Sequence, residues 1–243
     1  MTRAVIVANA PGIDWPTLAA LLPGALVVAA DGGARAFIGR ERGPDVIIGD
    51  GDSLAPAELA QLAANGARIV PHPRDKDETD LELALAWALA HGAEECDIVG
   101  ALGGRWDHSL ANVLVCAGKR FAACRMRLHA PGETLYIVHT SVVLDESRGA
   151  TVSLIPLTAV VTGVTTRGLR YELSAATLRH DQGRGLSNVL LVPPAMVTLE
   201  SGVLLVCLHH DDGAHQWRNP LPHVAALPEQ PHDGRDRAAG SPH

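Results

Sequence analysis

The sequence has few aromatic residues and few positive charges. Phenylalanine, tyrosine and tryptophan make up only 3% of the 243 residues, so the core must be built mainly from aliphatic side chains. Lysine and arginine total 20 against 27 aspartates and glutamates, and no basic segment alternates with aromatic residues. The chain therefore lacks the electrostatic features of a nucleic-acid-binding protein.

Long apolar runs and paired cysteines are also missing. No run approaches the roughly 18 residues of a membrane-spanning helix, so no membrane segment is expected. The four cysteines form no Cys-x-x-Cys pair, which favours buried free thiols in the reducing cytoplasm. The P-loop and the Gly-x-Gly-x-x-Gly fingerprint are absent as well, so any nucleotide must be held by a metal ion and by side chains.

The first 140 residues alternate short β-branched runs with segments of helical period. This alternation predicts a Rossmann-like α/β domain over residues 1–140, with a parallel sheet flanked by helices. The predicted strands are 4–8, 26–30, 46–48, 68–70, 97–99 and 125–129. The predicted helices are 17–22, 56–65, 81–91 and 108–120. The best-marked helix start is Thr79-Asp80-Leu81-Glu82, which has the form of a capping box.

The composition changes near residues 140–149. Short strands rich in Val, Leu and Thr follow, separated by Gly and Pro, and they predict a smaller all-β, sandwich-like domain over residues 147–210. Its predicted strands include 151–155, 159–164, 197–201 and 203–208. Residues 211–243 show no periodicity and predict a disordered tail.

Acidic and glycine-rich segments directly follow four of the predicted α/β strands. Because ligands bind at the carboxyl ends of the strands in open α/β sheets, these loops are expected to converge on one crevice. The four segments are Asp31-Gly32-Gly33, Gly49-Asp50-Gly51-Asp52-Ser53, Asp75-Lys76-Asp77-Glu78-Thr79-Asp80 and Gly103-Gly104-Arg105-Trp106-Asp107-His108.

Such a cluster of carboxylates favours a bound cation. Two carboxylates ~5 Å apart repel each other by roughly 3 kcal/mol at an effective dielectric constant of 20. Aspartate oxygens are ligands that Mg2+ prefers, and Lys76, Arg105 and His108 could hold phosphates beside the metal. Taken singly, Asp-Gly is also ordinary turn chemistry, and Thr79 could be only a helix cap.

The order of these motifs resembles the catalytic domain of the thiamine pyrophosphokinase family. The similar segments are Ala-Asp-Gly-Gly from Ala30, Pro-Asp-x-x-x-Gly-Asp-x-Asp-Ser from Pro44, Asp-Lys-Asp-x-Thr-Asp from Asp75 and Gly-Gly-Arg-x-Asp-His from Gly103. Farther along, residues 165–173, 183–185 and Ser187-Asn188 resemble the family's thiamine-binding β-domain. The resemblance covers the chain from about Ala30 to Leu208.

The resemblance implies a reaction and a set of site residues. The thiamine hydroxyl would attack the β-phosphorus of ATP and expel AMP. The resemblance assigns Asp50, Asp52 and Asp80 to Mg2+ binding, and Thr166, Ser187 and Asn188 to thiamine binding. Residues expected to contact ATP or to brace the metal shell are Asp31, Gly32, Lys76, Thr79, Arg105, Asp107 and His108. Asp77 and Asp107 are the candidates for accepting the hydroxyl proton. A homodimer with thiamine bound between the subunits is also implied.

Two other functions remain open at this point. A related diphosphokinase acting on a pterin alcohol could use the same carboxylate loops, although residues 165–171 and Ser187-Asn188 argue against it. A catalytically inactive nucleotide or thiamine sensor is the second alternative, but it would not need the full acidic set. Release of AMP with either alcohol would distinguish the three.

Overall fold

The chain combines a large, mostly parallel sheet with a second, antiparallel sheet. The structure, a computed structural model, describes residues 2–210. The predicted disordered tail, 211–243, lies outside these residues. Six strands of the large sheet are parallel, in the order β6-β5-β1-β2-β3-β4. They are β1 (Thr2–Val7), β2 (Leu26–Ala30), β3 (Val46–Gly49), β4 (Arg68–Pro71), β5 (Ala93–Val99) and β6 (Arg125–Ala130).

Four helices cover the two faces of the parallel strands. They are α1 (Trp15–Leu21), α2 (Pro56–Ala64), α3 (Asp80–Ala90) and α4 (Trp106–Cys116). Helices α3 and α4 pack on one face with Leu85 and Val113, whereas α1 and α2 pack on the other with Leu18 and Leu62. Helix α3 begins where predicted because the Thr79 hydroxyl accepts a hydrogen bond from the Glu82 amide. Within residues 2–210, no helix is long and apolar enough to cross a membrane.

Eight further strands follow along the chain. They are β7 (Glu133–Val138), β8 (Ser141–Leu144), β9 (Thr151–Pro156), β10 (Val160–Arg167), β11 (Ala176–Arg179), β12 (Asn188–Val189), β13 (Ala195–Thr198) and β14 (Leu204–His209). Strands β7, β14, β9 and β12 extend the large sheet beyond β6 to ten strands, all in antiparallel pairs. The remaining four form the small sheet, in the order β11-β10-β13-β8. The large sheet thus continues through the predicted boundary at residues 140–147.

The small sheet packs on the same face of the large sheet as α1 and α2. Val164 and Val197 of the small sheet share a core with Leu154 and Val206 of the large one. Between this core and the core under α1 and α2 lies a polar seam on β5 and β6.

The polar seam is built around Asp97, which is fully buried. Arg127 donates two hydrogen bonds to its carboxylate, at 2.7 and 3.0 Å, and His129 lies 2.8 Å from the same group. Burial by itself would raise the pKa of Asp97, but the bonds from His129 and Arg127 and the charge of Arg127 hold it below its ordinary value.

The predicted mixed α/β fold is confirmed in its coarse features, a large and mostly parallel sheet and a second, antiparallel sheet. All six predicted α/β strands are present, although β5 begins at Ala93 rather than at Asp97. The prediction for α4 was wrong at its end: the helix stops at Cys116, and Lys119–Phe121 forms a separate 3-10 turn. Strands β7, β8, β11 and β12 were not predicted.

Candidate functional site

A cavity of about 550 Å3 lies at the carboxyl ends of the parallel strands. From β1 the chain moves outward to β2, β3 and β4, and then returns to the other side of β1 to form β5. The loops after β1 and β5 therefore diverge, and ligands bind at such a point in open α/β sheets. Loops following all five strands line the cavity, as predicted for four of them.

Three carboxylates meet at this cavity. One oxygen from each of Asp31, Asp50 and Asp52 lies within 4.8 Å of the other two. Asp31 is 5% exposed, and its Oδ1 is buried without a hydrogen-bond partner among the described residues. A buried acceptor with no partner costs roughly 1–3 kcal/mol, so a group that satisfies it stabilises the site.

The backbone at Asp31 is strained in a way that aims this carboxylate. Its φ is +43°, in the left-handed region that non-glycine residues rarely occupy. Such conformations cost of order 1–3 kcal/mol and persist where the surroundings enforce them. Gly49 allows the close approach, because a Cβ there would lie 2.7 Å from the Cβ of Asp31.

The two glycines after Asp31 are required by the close packing of this turn. Residues Asp31–Phe37 form a 3-10 segment that passes close to the end of β1. A side chain at Gly33 would overlap the carbonyl oxygen of Val7, and one at Gly32 would overlap the Asn9 amide. Gly32 does not itself line the cavity, so its contribution is to bring the turn against the loop after β1.

The carboxylate trio is suited to a hard divalent cation. All the ligand atoms are oxygens, and Asp31 has one carboxylate oxygen that is buried without a partner among the described residues. The backbone amide of Asp52 donates to Asp50 Oδ1 at 3.1 Å, and this bond is the main reason why the pKa of Asp50 is lowered. Asp50 is therefore ionised at neutral pH, as a metal ligand must be.

The loop between β4 and α3 brings two cations to the cavity. Lys76 donates to Asp80 Oδ1 at 2.7 Å, and its side chain is only 13% exposed. Arg74 is 80% exposed and lies 3.2 Å from Asp52 Oδ2. Thr79 lines the same wall, while Asp77 is exposed and does not. The structure thus brings Asp31 rather than Asp80 into close contact with Asp50 and Asp52.

The loop between β5 and α4 forms the opposite wall. Arg105 and His108 line the cavity, and Asp107 does not. Arg105 Nη2 donates to Asp107 Oδ2 at 2.6 Å, and this bond lowers the pKa of the Asp107 carboxyl. Both side chains are exposed, so the ion pair is of the solvated kind that contributes little to stability.

Three polar residues of the cavity were missed by the sequence analysis. Asn9 follows β1, Arg74 precedes the acidic segment after β4, and Asn112 lies on α4 and donates to the Ala101 carbonyl at 2.7 Å. Asn9 could have been predicted, because it follows a strand in the same way as the four predicted segments do. Arg74 and Asn112 could not be predicted in this way. Arg74 lies just outside the acidic motif, and Asn112 reaches the cavity from within helix α4.

The residues predicted to bind thiamine lie on β10 of the small sheet and at β12, the edge strand of the large sheet, and they do not line this cavity. Thr166 is fully buried, and its hydroxyl accepts from the Leu173 amide at 2.8 Å. Asn188 is 5% exposed; its amide accepts from the Tyr171 N–H at 3.0 Å and donates to the Tyr171 carbonyl at 2.9 Å. Ser187 is exposed, with φ +55°. Two of the three side chains thus brace the loop after β10.

Comparison with protein families gives two matches that together cover most of the chain. The model described as "Thiamin pyrophosphokinase, catalytic domain" matches residues 20–128. The model described as "Thiamin pyrophosphokinase, vitamin B1 binding domain" matches residues 139–204. The cavity residues, apart from those after β1, fall within the first match, and Thr166, Ser187 and Asn188 fall within the second.

Curated relatives and solved structures agree with these matches. Thiamine pyrophosphokinase 3 of Oryza sativa subsp. japonica is 30% identical, over 72% of this chain and 74% of that protein. Thiamine pyrophosphokinase 1 of the same organism is also 30% identical, over 66% of this chain and 64% of its own length. The crystal structure of thiamine pyrophosphokinase from Bacillus subtilis shares the fold, with a TM-score of 0.76 at 24% identity, and the match covers 86% of this chain and 100% of that one.

Proposed function

The chain belongs to the thiamine pyrophosphokinase family, and we propose that it transfers the diphosphoryl group of ATP to the hydroxyl of thiamine, with release of AMP. The observation that supports this proposal best is the carboxylate trio with its unpartnered Asp31 Oδ1, in a cavity that also holds Lys76 and Arg105. Transfer to a pterin alcohol has no support, because both matching models describe thiamin pyrophosphokinase domains.

Mg2+ is the proposed metal, held by Asp31, Asp50 and Asp52. The resemblance adds Asp80, which lies in the same cavity with its carboxylate bonded to Lys76. When bound, Mg2+ polarises phosphoryl oxygens and neutralises the charge that develops on them. The donor set fits this ion because it offers only oxygen ligands and because Asp31 has a carboxylate oxygen that is otherwise unsatisfied.

The remaining catalytic contribution comes from positioning. Diphosphoryl transfer needs little covalent help from a protein, so fixed cations around the phosphates do most of the work. Lys76 is largely buried and held by Asp80, and it is therefore a preorganised phosphate ligand. Arg105 is exposed and paired with Asp107, and it becomes available to a phosphate when that solvated pair opens.

Asp77 and Asp107 are the proposed candidates for accepting the proton of the thiamine hydroxyl. Arg105 lowers the pKa of Asp107 through a direct hydrogen bond, which makes this carboxylate a weaker base. Asp77 is exposed. A pH–rate profile of Asp77→Asn and Asp107→Asn would separate them, because only loss of the true base removes the acidic limb.

Thiamine is proposed to bind next to the loop after β10. Tyr171 is 63% exposed while both its backbone groups are held by Asn188. A rigidly presented aromatic ring suits a cationic, aromatic substrate, since such rings attract cations and stack on flat groups. Asn188 and Thr166 then act by fixing this loop, and the exposed Ser187 is free to contact the substrate directly.

We further propose a homodimer with thiamine bound at the subunit interface. Trp106, Leu110 and Leu114 are 76, 44 and 50% exposed and lie on one side of α4, because they are spaced four residues apart. An exposed apolar row of this kind marks an interaction surface. Light scattering should give twice the chain mass, and Leu110→Glu with Leu114→Glu should give a monomer that has lost thiamine turnover. A monomeric wild-type protein would contradict the proposal.

A cytoplasmic location is proposed from the cysteines. Cys96, Cys116, Cys124 and Cys207 are all buried and free. Burial raises the pKa values of the Cys116 and Cys207 thiols to about 12, so they are protonated and unreactive at neutral pH.

One assay tests the proposed reaction. The purified protein is incubated with ATP, Mg2+ and either thiamine or a hydroxymethyl pterin, and AMP and the diphosphate ester are measured. Equal amounts of AMP and thiamine diphosphate are expected with thiamine alone. Formation of ADP, of a pterin diphosphate, or of no product would refute the proposed function.

A further inference from the structure

Arg74 and Lys76 lie two residues apart on one loop but differ in their contacts. Lys76 is largely buried and bonded to Asp80, outside the carboxylate trio. Arg74 is 80% exposed and contacts Asp52, a member of the trio, at 3.2 Å. Among the described residues, no other Lys or Arg side chain forms an ion pair with any of the three trio carboxylates.

The contact between Arg74 and Asp52 engages one oxygen of a carboxylate that a bound cation would need. Arg74 approaches Oδ2 of Asp52, while the other oxygen of this carboxylate is 3.4 Å from the Ser53 hydroxyl. A divalent cation bound by the trio would either displace the guanidinium or share Asp52 with it, and the two positive charges repel each other. The guanidinium therefore competes with a free metal ion for this site.

The same guanidinium faces the space where phosphates are expected. Arg74 lines the cavity together with Lys76 and Arg105. A guanidinium binds phosphate oxygens in bidentate fashion, and such charge-assisted bonds are stronger than an exposed ion pair with a carboxylate. The His72 N–H donates to the Gly49 carbonyl at 2.9 Å and ties the start of the loop to β3, and the exposed Arg74 side chain can change partner by rotation about its own bonds.

We propose that Arg74 exchanges partners during binding, from Asp52 in the metal-free protein to a phosphate of the metal–nucleotide complex. This inference rests on the proposed function. Arg74 weakens the binding of the cation alone and strengthens the binding of the cation together with its nucleotide. The site thereby selects the metal–nucleotide complex over free divalent cations.

Two binding measurements on Arg74→Gln test the exchange. Mn2+ binding without nucleotide is followed by the paramagnetic resonance signal of free Mn2+. Binding of an ATP analogue with a methylene group at the α,β bridge, in saturating Mg2+, is followed by calorimetry. The variant is expected to bind Mn2+ about 2- to 5-fold more tightly, which is the range of an exposed ion pair. It is expected to bind the analogue at least about 10-fold more weakly, since a bond to a charged group is lost.

Two further variants serve as controls. Arg179→Gln removes a matched exposed pair, because Arg179 lies 3.2 Å from Asp181 with similar exposure of the carboxylate, and it should change neither affinity. Arg74→Lys keeps the charge and should fall between wild type and Arg74→Gln in both measurements. General damage to the fold would weaken both affinities and could not produce opposite changes.

The outcomes separate this inference from the proposed function. If wild type binds Mn2+ and the analogue, but Arg74→Gln matches it in either measurement or weakens both, the exchange is refuted and the proposed function stands. If wild type binds neither probe, both the partner exchange and the proposed function are refuted. Opposite changes in Arg74→Gln, absent from Arg179→Gln, support the exchange.

Discussion

The strand-end cavity and the loop after β10 both lie beside predicted site residues, yet the buried polar groups at the two places differ in whether they have hydrogen-bond partners. In the cavity, Asp31 is strained, buried and without a partner at Oδ1. Beside the loop, Thr166 on β10 and Asn188 on β12 are equally buried, but their side chains are bonded to the backbone of Leu173 and Tyr171. The difference indicates that the cavity is completed by a ligand, whereas the loop is complete by itself and presents its exposed side chains.

Asp52→Asn should give the largest effect, because it removes one of the three anions of the cavity. Loss of several kcal/mol of charge stabilisation corresponds to a fall in turnover of about 10^2- to 10^4-fold. The free energy of unfolding should not decrease, since a like charge is removed from a repelling trio. Steady-state kinetics and urea unfolding measure the two quantities, with Asp181→Asn as an exposed control. Near-normal turnover at saturating Mg2+ would contradict the inference that the cavity is completed by a ligand held by these carboxylates.

Asp97 provides a third arrangement. It is a buried carboxylate like Asp31, but its oxygens have hydrogen-bond partners, as the side chains of Thr166 and Asn188 do. Asp97→Asn should cost about 3 kcal/mol at pH 7, because Arg127 and His129 lose their ionised partner. The pKa of Asp97 is lowered in the folded protein, so its contribution is fully present above about pH 4 and is lost as the pH falls through the folded value. Urea unfolding between pH 3 and 7 should show the difference shrinking in acid. A difference independent of pH would contradict this.

Asn188→Ala and Ser187→Ala separate bracing from direct contact. Asn188→Ala should cost about 2 kcal/mol of unfolding free energy, because the Tyr171 backbone loses two bonds, and it should raise the thiamine KM about tenfold or more. Ser187→Ala should change stability by less than about 0.5 kcal/mol, as at other exposed sites. Neither should change the affinity for an unreactive ATP analogue. Equal weakening of both substrates would remove the distinction between the two regions.

Thr79 gives the smallest effect and tests whether a cavity residue is only a helix cap. Thr79→Ala should cost about 1 kcal/mol, because the Glu82 amide loses its acceptor, and Thr79→Ser should restore it. If Thr79 also contacts ATP, the alanine variant raises the KM for ATP and the serine variant does not. Thermal unfolding and ATP titration of both variants give the answer.

The sequence predicted most of the α/β strands because they are short runs rich in β-branched residues between loop residues. It misplaced the start of β5, since Glu94 and Glu95 precede the apolar part of the strand. It missed the short β11 and β12, because their few residues carry no alternation of their own and are held by cross-strand pairing. Half of the predicted capping box is present: Thr79 caps α3, but the Glu82 carboxylate bonds Arg120 instead of reaching back.

The site residues were predictable where they directly follow strands and less so where contacts decide. The convergence of Asp31, Asp50, Asp52 and Lys76 on one cavity follows from strand ends alone. The close grouping of Asp31 with Asp50 and Asp52 cannot be predicted from strand ends, because it depends on the left-handed turn at Asp31 and on its packing against Gly49. Asp80, at the start of α3, is paired with Lys76 from the preceding loop. The assignment of Asp80 to the metal stays a prediction.

The continuous ten-stranded ladder also limits how the enzyme can move. A hinge between the two regions would have to pull apart β7 and β14, which pair over six residues, or β14 and β9, which pair over six more. A closing motion that splits the large sheet would therefore break strand pairing, which favours closing motions of the loops at the strand ends. The segment between β4 and α3 is the best placed to act as a lid, because it follows the outermost strand of the sheet and carries both Arg74 and Lys76.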